Sequence, residues 1–494
     1  MHSMRRFAPV LIATLALIAA GCGGSTTTAG GVGTGPSPAA ELKPGALVYW
    51  ETATDPGSDE WQQAEELLRR FPDGEQWIEQ LRTKLADKGL DWEQDVEPAL
   101  GETSAVAVYP GAGDDTGLVV GLTNPTDPDK TVALVKKLDA QDPGEPTLTR
   151  VVGDWVVVAE NEAAFGAALK TASGGSLADD QRFGSAMGTV PGDALSRLYA
   201  DPAEALEAFA SSDPDALDAF RMLGADRLDF AAAWAKAKDD GAELGLSAGG
   251  EGASGVLGDG EPYSSSLLER VPDDALVFLS FQGRAAAKQE EDLKGNPLYT
   301  MALRRFEREL GVKLEELVRL TDGEIAFYAR MALPIPELTL MLDSQNPGQA
   351  RASAEKLLRA FAEREGGQVT EDGDVTTAVV DGFAVNLGTV DGVVVFTTSK
   401  GAFDELAASG DKLPDSDRWR SALESAGVPE TYTSLAYADL GETVGLLQAY
   451  LGLSGKSAPL PPDAARNLEA LKTLVAWGTL DGDVASTRAF VEID

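Results

Sequence analysis

The 494-residue chain contains almost no histidine or cysteine. Its one histidine is His2 and its one cysteine is Cys22, so both belong to the N-terminal segment. The rest of the sequence offers neither imidazole nor thiol, which excludes Ser-His-Asp triads, cysteine nucleophiles, Cys/His zinc sites, disulfides and haem ligation by histidine. We therefore predict no cofactor, and carboxylates are the main groups left that could perform catalysis.

Basic residues are few compared with acidic ones. The sequence has 41 Lys and Arg against 80 Asp and Glu, which gives a formal net charge of -39. Binding to DNA or RNA requires a basic surface that displaces counterions from the phosphates. We therefore predict no nucleic-acid partner, and we expect repulsion from anionic lipid surfaces and attraction to basic partners or cations.

Long apolar runs are also rare, and the one over residues 7–20 follows a pair of arginines. A short basic start, an apolar stretch shorter than a membrane span and a small-residue exit predict a signal peptide over residues 1–21. The segment Ala19-Ala-Gly-Cys22 resembles the lipobox of bacterial lipoproteins. That resemblance implies lipidation of Cys22 and an extracytoplasmic location, with the cell membrane as a partner through the lipid anchor. The alternative is an ordinary secreted protein with an incidental cysteine.

Behind the signal peptide the sequence divides into a tether and two similar halves. Residues 22–43 are predicted to be a lipidated, flexible tether, because Gly, Ser, Thr and Pro dominate most of this segment. Residues 44–250 and 262–494 repeat motifs in the same order, with a Gly-rich linker at 251–261, which predicts two homologous halves. The matched segments are Pro44–Trp50 with Pro272–Phe278, Ser104–Tyr109 with Gly323–Tyr328, Asn124-Pro125 with Asn346-Pro347, Asp154–Ala159 with Asp391–Phe396, Ser196–Asp201 with Ser434–Asp439, and Trp234 with Trp477.

Hairpin signals and helical periodicity alternate within each half. Asp381-Gly382 and Asp391-Gly392 separate Val-rich runs, and Asp-Gly between such runs predicts a tight antiparallel hairpin. Apolar residues at helical spacing predict amphipathic helices, and they are Trp61, Ala64, Leu68 and Phe71 in the first half and Tyr299, Leu303, Phe306 and Leu310 in the second. We therefore predict an α+β fold in which each half is an antiparallel sheet with hairpins packed against amphipathic helices.

Three segments of the first half form a set: a strand opening, an amphipathic helix and an acidic turn that leads into a strand. They are Pro44–Tyr49, Glu66–Pro72 and Asp91–Gly101. Together they resemble the bacterial family known as domain of unknown function 3352. The resemblance implies a large, exported or membrane-associated protein whose activity is unassigned, and it supplies no catalytic residue.

Three short motifs resemble functional ones but lack the surrounding structure that their chemistry needs. Gly250–Gly255 fits the dinucleotide fingerprint, yet no helix can start convincingly behind it, so we interpret it as linker. Gly452–Ser457 resembles a phosphate-binding loop, but Tyr450 occupies the position of its first glycine and prolines follow it. Ser353–Lys356 matches Ser-x-x-Lys, but it lies in a charged segment predicted to be a helix over 347–364.

The acidic residues form clusters that could bind a cation. The clusters are Glu290–Asp292, Glu371–Asp374 and Asp415–Asp417. None follows the spacing of a calcium-binding loop, so we predict no metal site and interpret the clusters as solvated turns and helix caps. Asp201, Asp213 and Asp439 are similarly predicted to cap helices.

These observations favour a non-enzymatic binding or scaffolding role at the cell envelope, with an envelope protein or an apolar ligand as the possible partner. One alternative is a carrier of a lipid or other apolar ligand, which needs a large apolar cavity. The other is a carboxylate-dependent hydrolase of envelope glycans, which needs a pair of Asp or Glu side chains in a cleft. The sequence leaves the oligomeric state open.

Overall fold

Antiparallel strands with short connections form the framework of the protein. The structure is a computed structural model that describes residues 37–111, 117–141, 146–209, 221, 224–253, 261–283, 320, 322–332, 335–444 and 462–494. Several predicted features lie outside the described residues: the signal peptide, Cys22, Asp213, Glu290–Asp292, Gly452–Ser457 and the helical stripe Tyr299, Leu303, Phe306 and Leu310. The chain divides into two units, unit 1 from the described part of 1–256 with Ile493–Asp494 and unit 2 from that of 257–492.

The last residues of the predicted tether over residues 22–43, from Ser37 on, are described and have a regular structure. Pro38–Glu41 is a short 3-10 helix, and Leu42 is fully buried. The backbone N–H of Lys43 donates to the carbonyl oxygen of Ala168 at 2.7 Å. Composition alone did not predict this, because one buried apolar side chain and a few backbone hydrogen bonds, to Ala168 and Leu177, are enough to fix a short Pro/Ala segment.

Unit 1 is an antiparallel sheet whose strands are separated by helices. Its strands are β1 (Val48–Ala53), β2 (Thr103–Tyr109), β3 (Leu118–Thr123), β4 (Leu148–Val152), β5 (Trp155–Ala159), β6 (Ser196–Ala200), β7 (Phe230–Lys238) and β8 (Gly241–Gly249). Its helices are α1 (Asp59–Arg70), α2 (Gly74–Asp87), α3 (Glu97–Leu100), α4 (Pro128–Asp139), α5 (Glu162–Ala168), α6 (Gln181–Met187) and α7 (Pro202–Phe209). Paired strands follow the order β8-β7-β6-β1-β2-β3-β5-β4.

Unit 2 is also an antiparallel sheet with helices. Its strands are β9 (Val277–Gln282), β10 (Glu324–Arg330), β11 (Glu337–Leu342), β12 (Gln368–Asp372), β13 (Val375–Val380), β14 (Phe383–Val390), β15 (Val393–Thr397), β16 (Ser434–Asp439), β17 (Leu471–Asp481) and β18 (Val484–Ile493). Its helices are α8 (Pro347–Arg364), α9 (Ala402–Ala407), α10 (Asp417–Ala426) and α11 (Pro462–Leu468). Paired strands follow the order β17-β16-β9-β10-β11-β15-β14-β13-β12. The predicted α+β fold with antiparallel sheets is therefore confirmed.

The two predicted Asp-Gly hairpins are present in unit 2. Asp381 and Gly382 connect β13 to β14 with φ angles of 49° and 85°, and Asp391 and Gly392 connect β14 to β15 with 45° and 85°. Positive φ at both central residues is the geometry of a two-residue turn that matches the twist of the flanking strands. Glycine and aspartate adopt it at low cost, which is why these dipeptides fix the register of three consecutive strands.

Each sheet has a core face on which aromatic rings meet. In unit 1, Phe183 of α6 contacts Tyr49 of β1 and Tyr199 of β6, each at 5.3 Å between ring centroids. In unit 2, Trp419 of α10 makes the corresponding contacts with Phe278 of β9 and Tyr437 of β16, at 5.7 and 5.0 Å. Edge-to-face packing of this kind stabilises a core by about 0.5–1.5 kcal/mol per pair beyond area burial. Trp234 and Trp477 are buried in β7 and β17, which confirms both as core anchors.

The opposite face of each sheet is here called the outer face. In unit 2, α8 covers one end of it, and Ala350, Ala354, Leu358 and Ala362 of this helix pack with Ile325, Leu342 and Val394 of the strands. In unit 1, Trp61 of α1 packs with Trp50, Trp92 and Val106. Within the part of the chain that the structure describes, no helix is long and apolar enough to cross a membrane.

Candidate functional site

The buried carboxylates are the groups of this chain that could act in a hydrolase. In unit 1, Asp201 accepts from Arg182 Nη1 at 2.7 Å and from the backbone N–H of Glu204 at 3.0 Å, so it caps α7. In unit 2, Asp439 is paired with Arg418 and accepts from the backbone N–H of Glu442 at 3.0 Å. The Asp201 carboxylate raises the pKa of Arg182 by hydrogen bonding. Both predicted caps are confirmed, and both carboxylates serve the fold.

Among the described residues, Glu324 at the start of β10 is bound by neutral donors and not by a Lys or Arg side chain. It is 4% exposed, and its oxygens accept from backbone and hydroxyl donors of the segment that opens unit 2. The donors are Ser266 N at 2.8 Å, Ser266 Oγ at 2.9 Å, Leu267 N at 3.2 Å, Ser280 Oγ at 2.8 Å and Ser265 Oγ. Charge-assisted hydrogen bonds of this number satisfy a carboxylate. Glu324 therefore fastens the segment to the sheet, and its lone pairs are occupied.

Glu337 at the start of β11 belongs to an ion cluster centred on Arg330. Arg330 binds it with two parallel hydrogen bonds, Nε to Oε1 at 3.0 Å and Nη2 to Oε2 at 2.9 Å. The Tyr328 hydroxyl donates to the same carboxylate at 2.9 Å. Arg330 also pairs with Asp274 at 3.2 Å and with Glu405. The bidentate pair links β10 to β11, and the contact of Arg330 with Glu405 adds α9. Burial raises the pKa of Tyr328, so its phenol stays protonated and donates to Glu337.

Two further carboxylates of unit 1 are buried beside a partner on their own element. Glu51 accepts from the Tyr49 hydroxyl at 2.7 Å on β1. Glu65 on α1 forms an ion pair with Arg69 one turn later. Across the described ranges, no group of three or more His, Cys, Asp and Glu side chains is arranged to hold a metal ion. The buried carboxylates named above all have structural partners.

The motifs rejected from sequence occupy structural positions where they are described. Ser353 and Lys356 lie within α8, whose bounds, Pro347–Arg364, match the predicted helix. In the acidic cluster Glu371–Asp374, Glu371 pairs with Arg359 and Asp372 with Lys400. In Asp415–Asp417, Asp415 accepts from the backbone N–H of Lys412 at 3.2 Å and Asp417 pairs with Arg420. Gly250 follows β8, and a side chain there would meet the backbone of Asp229.

An apolar surface lies where the C-terminal end of α8 meets the β13–β14 hairpin of unit 2. Phe361 of α8 is 47% exposed and Phe383 of β14 is 51% exposed. Val380 pairs with Phe383, and a Cβ built at Gly367 would lie 2.7 Å from Val380 Cγ2 and 3.3 Å from the carbonyl oxygen of Ala362. The helix end and the hairpin therefore share one corner. We call Phe361, Val380 and Phe383 the hairpin end.

Sequence reasoning missed the hairpin end. The buried stripe of α8 runs through Ala354, Leu358 and Ala362, and Phe361 stands one position beside it. Phe383 is the first residue after the Asp381-Gly382 turn, a place where a solvated residue is usual. Two features of the sequence could have indicated this surface: a large aromatic residue next to the buried stripe of a helix, and another at the tip of a hairpin.

A second apolar surface is the outer face of unit 2 beyond α8. One row across the strands is Leu279, Phe327, Leu340 and Phe396, which lie opposite one another on β9, β10, β11 and β15. Leu279 is 39% exposed and Phe281, two residues along β9, is 38% exposed. Leu340 and Phe396, at one end of this row, pack against the α8 cluster. We call Leu279, Phe281 and Phe327, at the other end, the open sheet face.

Comparisons with known proteins give a family and distant structural neighbours. The family model described as "Protein of unknown function (DUF3352)" matches residues 135–476. No curated protein matches the chain. The chain is 14% identical to the protein in "Structure of crystal form IV of TP0453", with 47% of this chain and 81% of that chain covered and a TM-score of 0.24. For "Structure of crystal form III of TP0453" the identity is 14%, the coverage 47% and 93%, and the TM-score 0.22.

Proposed function

The chain belongs to the DUF3352 family of proteins of unknown function, and from that premise we propose that it is a lipid-anchored, extracytoplasmic protein with a non-enzymatic binding role at the cell envelope. The anchor is Cys22, which follows a basic, apolar and small-residue sequence typical of lipoprotein signals. Two acyl chains on one cysteine give stable attachment to a bilayer, because each buried methylene contributes about 0.8 kcal/mol.

The body of the protein is, in this proposal, a duplication of one α+β unit over residues 44–250 and 262–494. Three matches support it. The strand order β7-β6-β1-β2-β3-β5-β4 of unit 1 corresponds to β17-β16-β9-β10-β11-β15-β14 of unit 2. The aromatic contacts of Phe183 correspond to those of Trp419, and the Arg182–Asp201 pair corresponds to Arg418–Asp439. Unit 2 has two further strands, β12 and β13, which follow β14 in the sheet and have no counterpart in the strand order of unit 1.

A non-enzymatic role is supported by how the buried carboxylates are used. Glu324 is held by backbone and hydroxyl donors, and Glu337 by arginine and tyrosine. A general acid or nucleophile needs oxygens free to face a substrate in a cleft. Hydrogen bonds that hold loops and strands together occupy these oxygens, which supports a stabilising role for Glu324 and Glu337.

The observation that carries the binding role is the hairpin end, because it places two exposed phenylalanines at one corner of unit 2, Phe361 on α8 and Phe383 on the β13–β14 hairpin. Large exposed aromatic side chains with a charged rim are typical of protein interfaces. The rim here has both signs, with Glu363, Arg364 and Glu365 at the end of α8. Mixed charge suits a protein surface better than an anionic bilayer, so the proposed partner is another protein of the envelope.

The test is site-specific photo-cross-linking in living cells. A photoreactive amino acid is placed at Phe361, at Phe383 and, as a matched control, at Val151, which is 55% exposed on β4 of unit 1. We expect one and the same protein to be captured from both phenylalanine positions and not from Val151. Phe361→Asp should abolish its capture from position 383. Capture of the same proteins from Val151 would contradict a binding role for the hairpin end.

Native mass spectrometry of the protein purified from its own host separates this proposal from the carrier. The expected mass is that of the chain with its covalent Cys22 lipid and no further, non-covalent adduct. A retained adduct of lipid mass that disappears in Leu279→Asp would favour the carrier and contradict the proposal, because the ligand would then occupy the open sheet face.

A further inference from the structure

We infer that the edge strand β4 of unit 1 is a dimerisation site, at which a second copy of this chain adds its own β4 antiparallel to the first. Among the described residues, β4 pairs only with β5. In unit 2 the strand at the same place in the order, β14, pairs on its far side with a further strand, β13. This comparison uses strand order alone, and the inference is independent of the binding role proposed for the hairpin end.

The turn between β4 and β5 determines which backbone groups of β4 face outward. Val152 and Trp155 pair across the two-residue turn Gly153-Asp154, in which the glycine has a φ of 58°. The residues that flank such a turn bond to each other, so Val152 directs its N–H and C=O at β5. Every second residue of β4 does the same. The N–H and C=O groups of Thr149 and Val151 therefore point away from the sheet.

A side chain already occupies the outward row at its N-terminal end. Thr147 precedes β4 and by the same alternation faces outward, and its N–H donates to Asp139 Oδ2 at 2.9 Å. Nothing in the described part of the chain bonds to the outward groups of Thr149 and Val151. The open row is therefore two residues long and offers two donors and two acceptors.

One register lets two copies satisfy both outward residues of each other. If Arg150 lies on the two-fold axis, Thr149 of each copy pairs with Val151 of the other, and each pair exchanges two hydrogen bonds. With the axis at Thr149, Val151 would lie opposite Thr147, whose N–H is already bound. With the axis at Val151, Thr149 would lie opposite Gly153 in the turn. The edge is thus complementary to itself in a single register.

The side chains of β4 also suit a second copy. The only charged one is Arg150, whose guanidinium carbon lies 4.4 Å from the centroid of the Phe165 ring and whose Nη2 donates to both Glu162 oxygens at 2.9 and 3.1 Å. Because Glu162 compensates this charge, two Arg150 side chains can lie across the axis, and no free charge selects a different partner. Val151 is 55% exposed although Val156, opposite it on β5, is fully buried. Such an edge lacks the proline and free charges that prevent strand addition.

The dimer is expected to be weak and reversible. Two strands of five residues bury far less than the roughly 1,200 Å² at which stable interfaces begin. The formal net charge of -39 also makes two copies repel each other, and salt screens this repulsion. We therefore expect association at high protein concentration, and we expect added salt to strengthen it.

Sedimentation of the full chain over a wide range of concentration tests the inference, with Cys22→Ala removing the natural cysteine. Val151→Pro removes an N–H that faces outward and none that bonds to β5. The symmetric dimer loses two hydrogen bonds, so this change should weaken it by about tenfold or more. The matched control is Val369→Pro at an outward-facing residue of β12, and it should leave dimerisation unchanged. A chain that stays monomeric at every concentration, or one that dimerises equally well with Val151→Pro, would overturn the inference.

Disulfide trapping in the same chain covers the case in which the proline variant folds poorly. Arg150→Cys places a thiol on the axis, where side chains of a non-hydrogen-bonded pair lie close together, so mild oxidation should join two chains. Thr149→Cys should not join them, because its counterpart lies diagonally about 7–8 Å away. Thr370→Cys on β12 is the second control. Equal trapping at all three positions, or none at position 150, shows that β4 does not pair with itself.

The photo-cross-linking experiment described above identifies the occupant in cells. A photoreactive amino acid at Val151 should capture a second copy of this chain. Capture of a different protein there, with no captured copy, would assign the edge to that protein and overturn the inference.

Discussion

Replacing Glu324 by methionine removes the acceptor that binds the opening segment of unit 2 to β10. Five donors lose their partner, and three of them are hydroxyls that can rotate toward other acceptors. The N–H groups of Ser266 and Leu267 cannot rotate. An unsatisfied buried donor costs about 1–3 kcal/mol, so we expect Glu324→Met to lower the free energy of unfolding by about 2–4 kcal/mol.

Glu324→Gln separates the loss of the acceptor from the loss of the charge. The amide oxygen can accept from the two N–H groups, while the amide nitrogen can donate to the Ser265 and Ser280 hydroxyls after they rotate. Only the charge assistance is lost, for which we expect about 1–2 kcal/mol. The glutamine variant should therefore lie between the wild type and the methionine variant in stability.

Urea unfolding measures the stabilities, and hydrogen exchange of the segment around Tyr263–Leu267 shows where the loss occurs. Two units can unfold separately, so the m-value must be checked before the midpoints are converted to free energies. Glu269→Met, at an exposed glutamate nearby, is the control and should change stability by less than about 0.5 kcal/mol. Equal losses for Glu324→Met and Glu324→Gln, or unchanged exchange in the segment, would refute the reasoning.

Three further predictions concern other parts of the chain. Burial raises the pKa of the seven described tyrosines, so the unfolded chain ionises first and stability should fall as pH rises above about 10, by about 1.4 kcal/mol per pH unit for each tyrosine. A rise in phenolate absorbance near pH 10 that persists in the folded state when Tyr299 and Tyr450, the two tyrosines outside the described residues, are replaced by Phe would contradict this. Gly245→Ala places a Cβ 2.1 Å from the Trp234 ring and should lower the free energy of unfolding, measured in urea, by about 1–3 kcal/mol. Gly166→Ala, which has open space around the new Cβ, should not lower it. Cys22→Ala should abolish labelling by an alkyne fatty acid and release the protein from membranes; continued membrane association would argue against the proposed anchor.

The parts of the fold that were predictable are those that depend on neighbours in sequence. Asp381-Gly382 and Asp391-Gly392 specify tight turns by their backbone preferences, and α8 has the predicted bounds because Asn346 caps it and Pro347 starts it. The partners of Glu324 were not predictable, because Ser265 and Ser266 precede it by almost sixty residues. Such contacts depend on strand order, which local pattern does not contain.

The candidate surface was unpredictable for a related reason. Whether an apolar residue is core or interface depends on how far the neighbouring element extends, and α8 stops just where Phe361 and Phe383 emerge. Register arguments have a similar limit. Tyr109 and Tyr328 match in sequence, yet Ala107 faces Tyr49 on β1 whereas Tyr328 faces Phe278 on β9, a shift of two residues between the units.

The edge strand β12 has a consequence for how copies of this protein behave side by side. Within the described part of unit 2, β12 pairs only with β13, so one row of its backbone N–H and C=O groups faces outward. An open row of this kind invites a strand from another molecule, and charged side chains discourage that addition. Glu371 and Asp372 stand on β12, paired with Arg359 and Lys400. In the proposed membrane-anchored form, copies would meet often and in similar orientations on a two-dimensional surface, and this charged border would keep their unit 2 sheets from joining edge to edge.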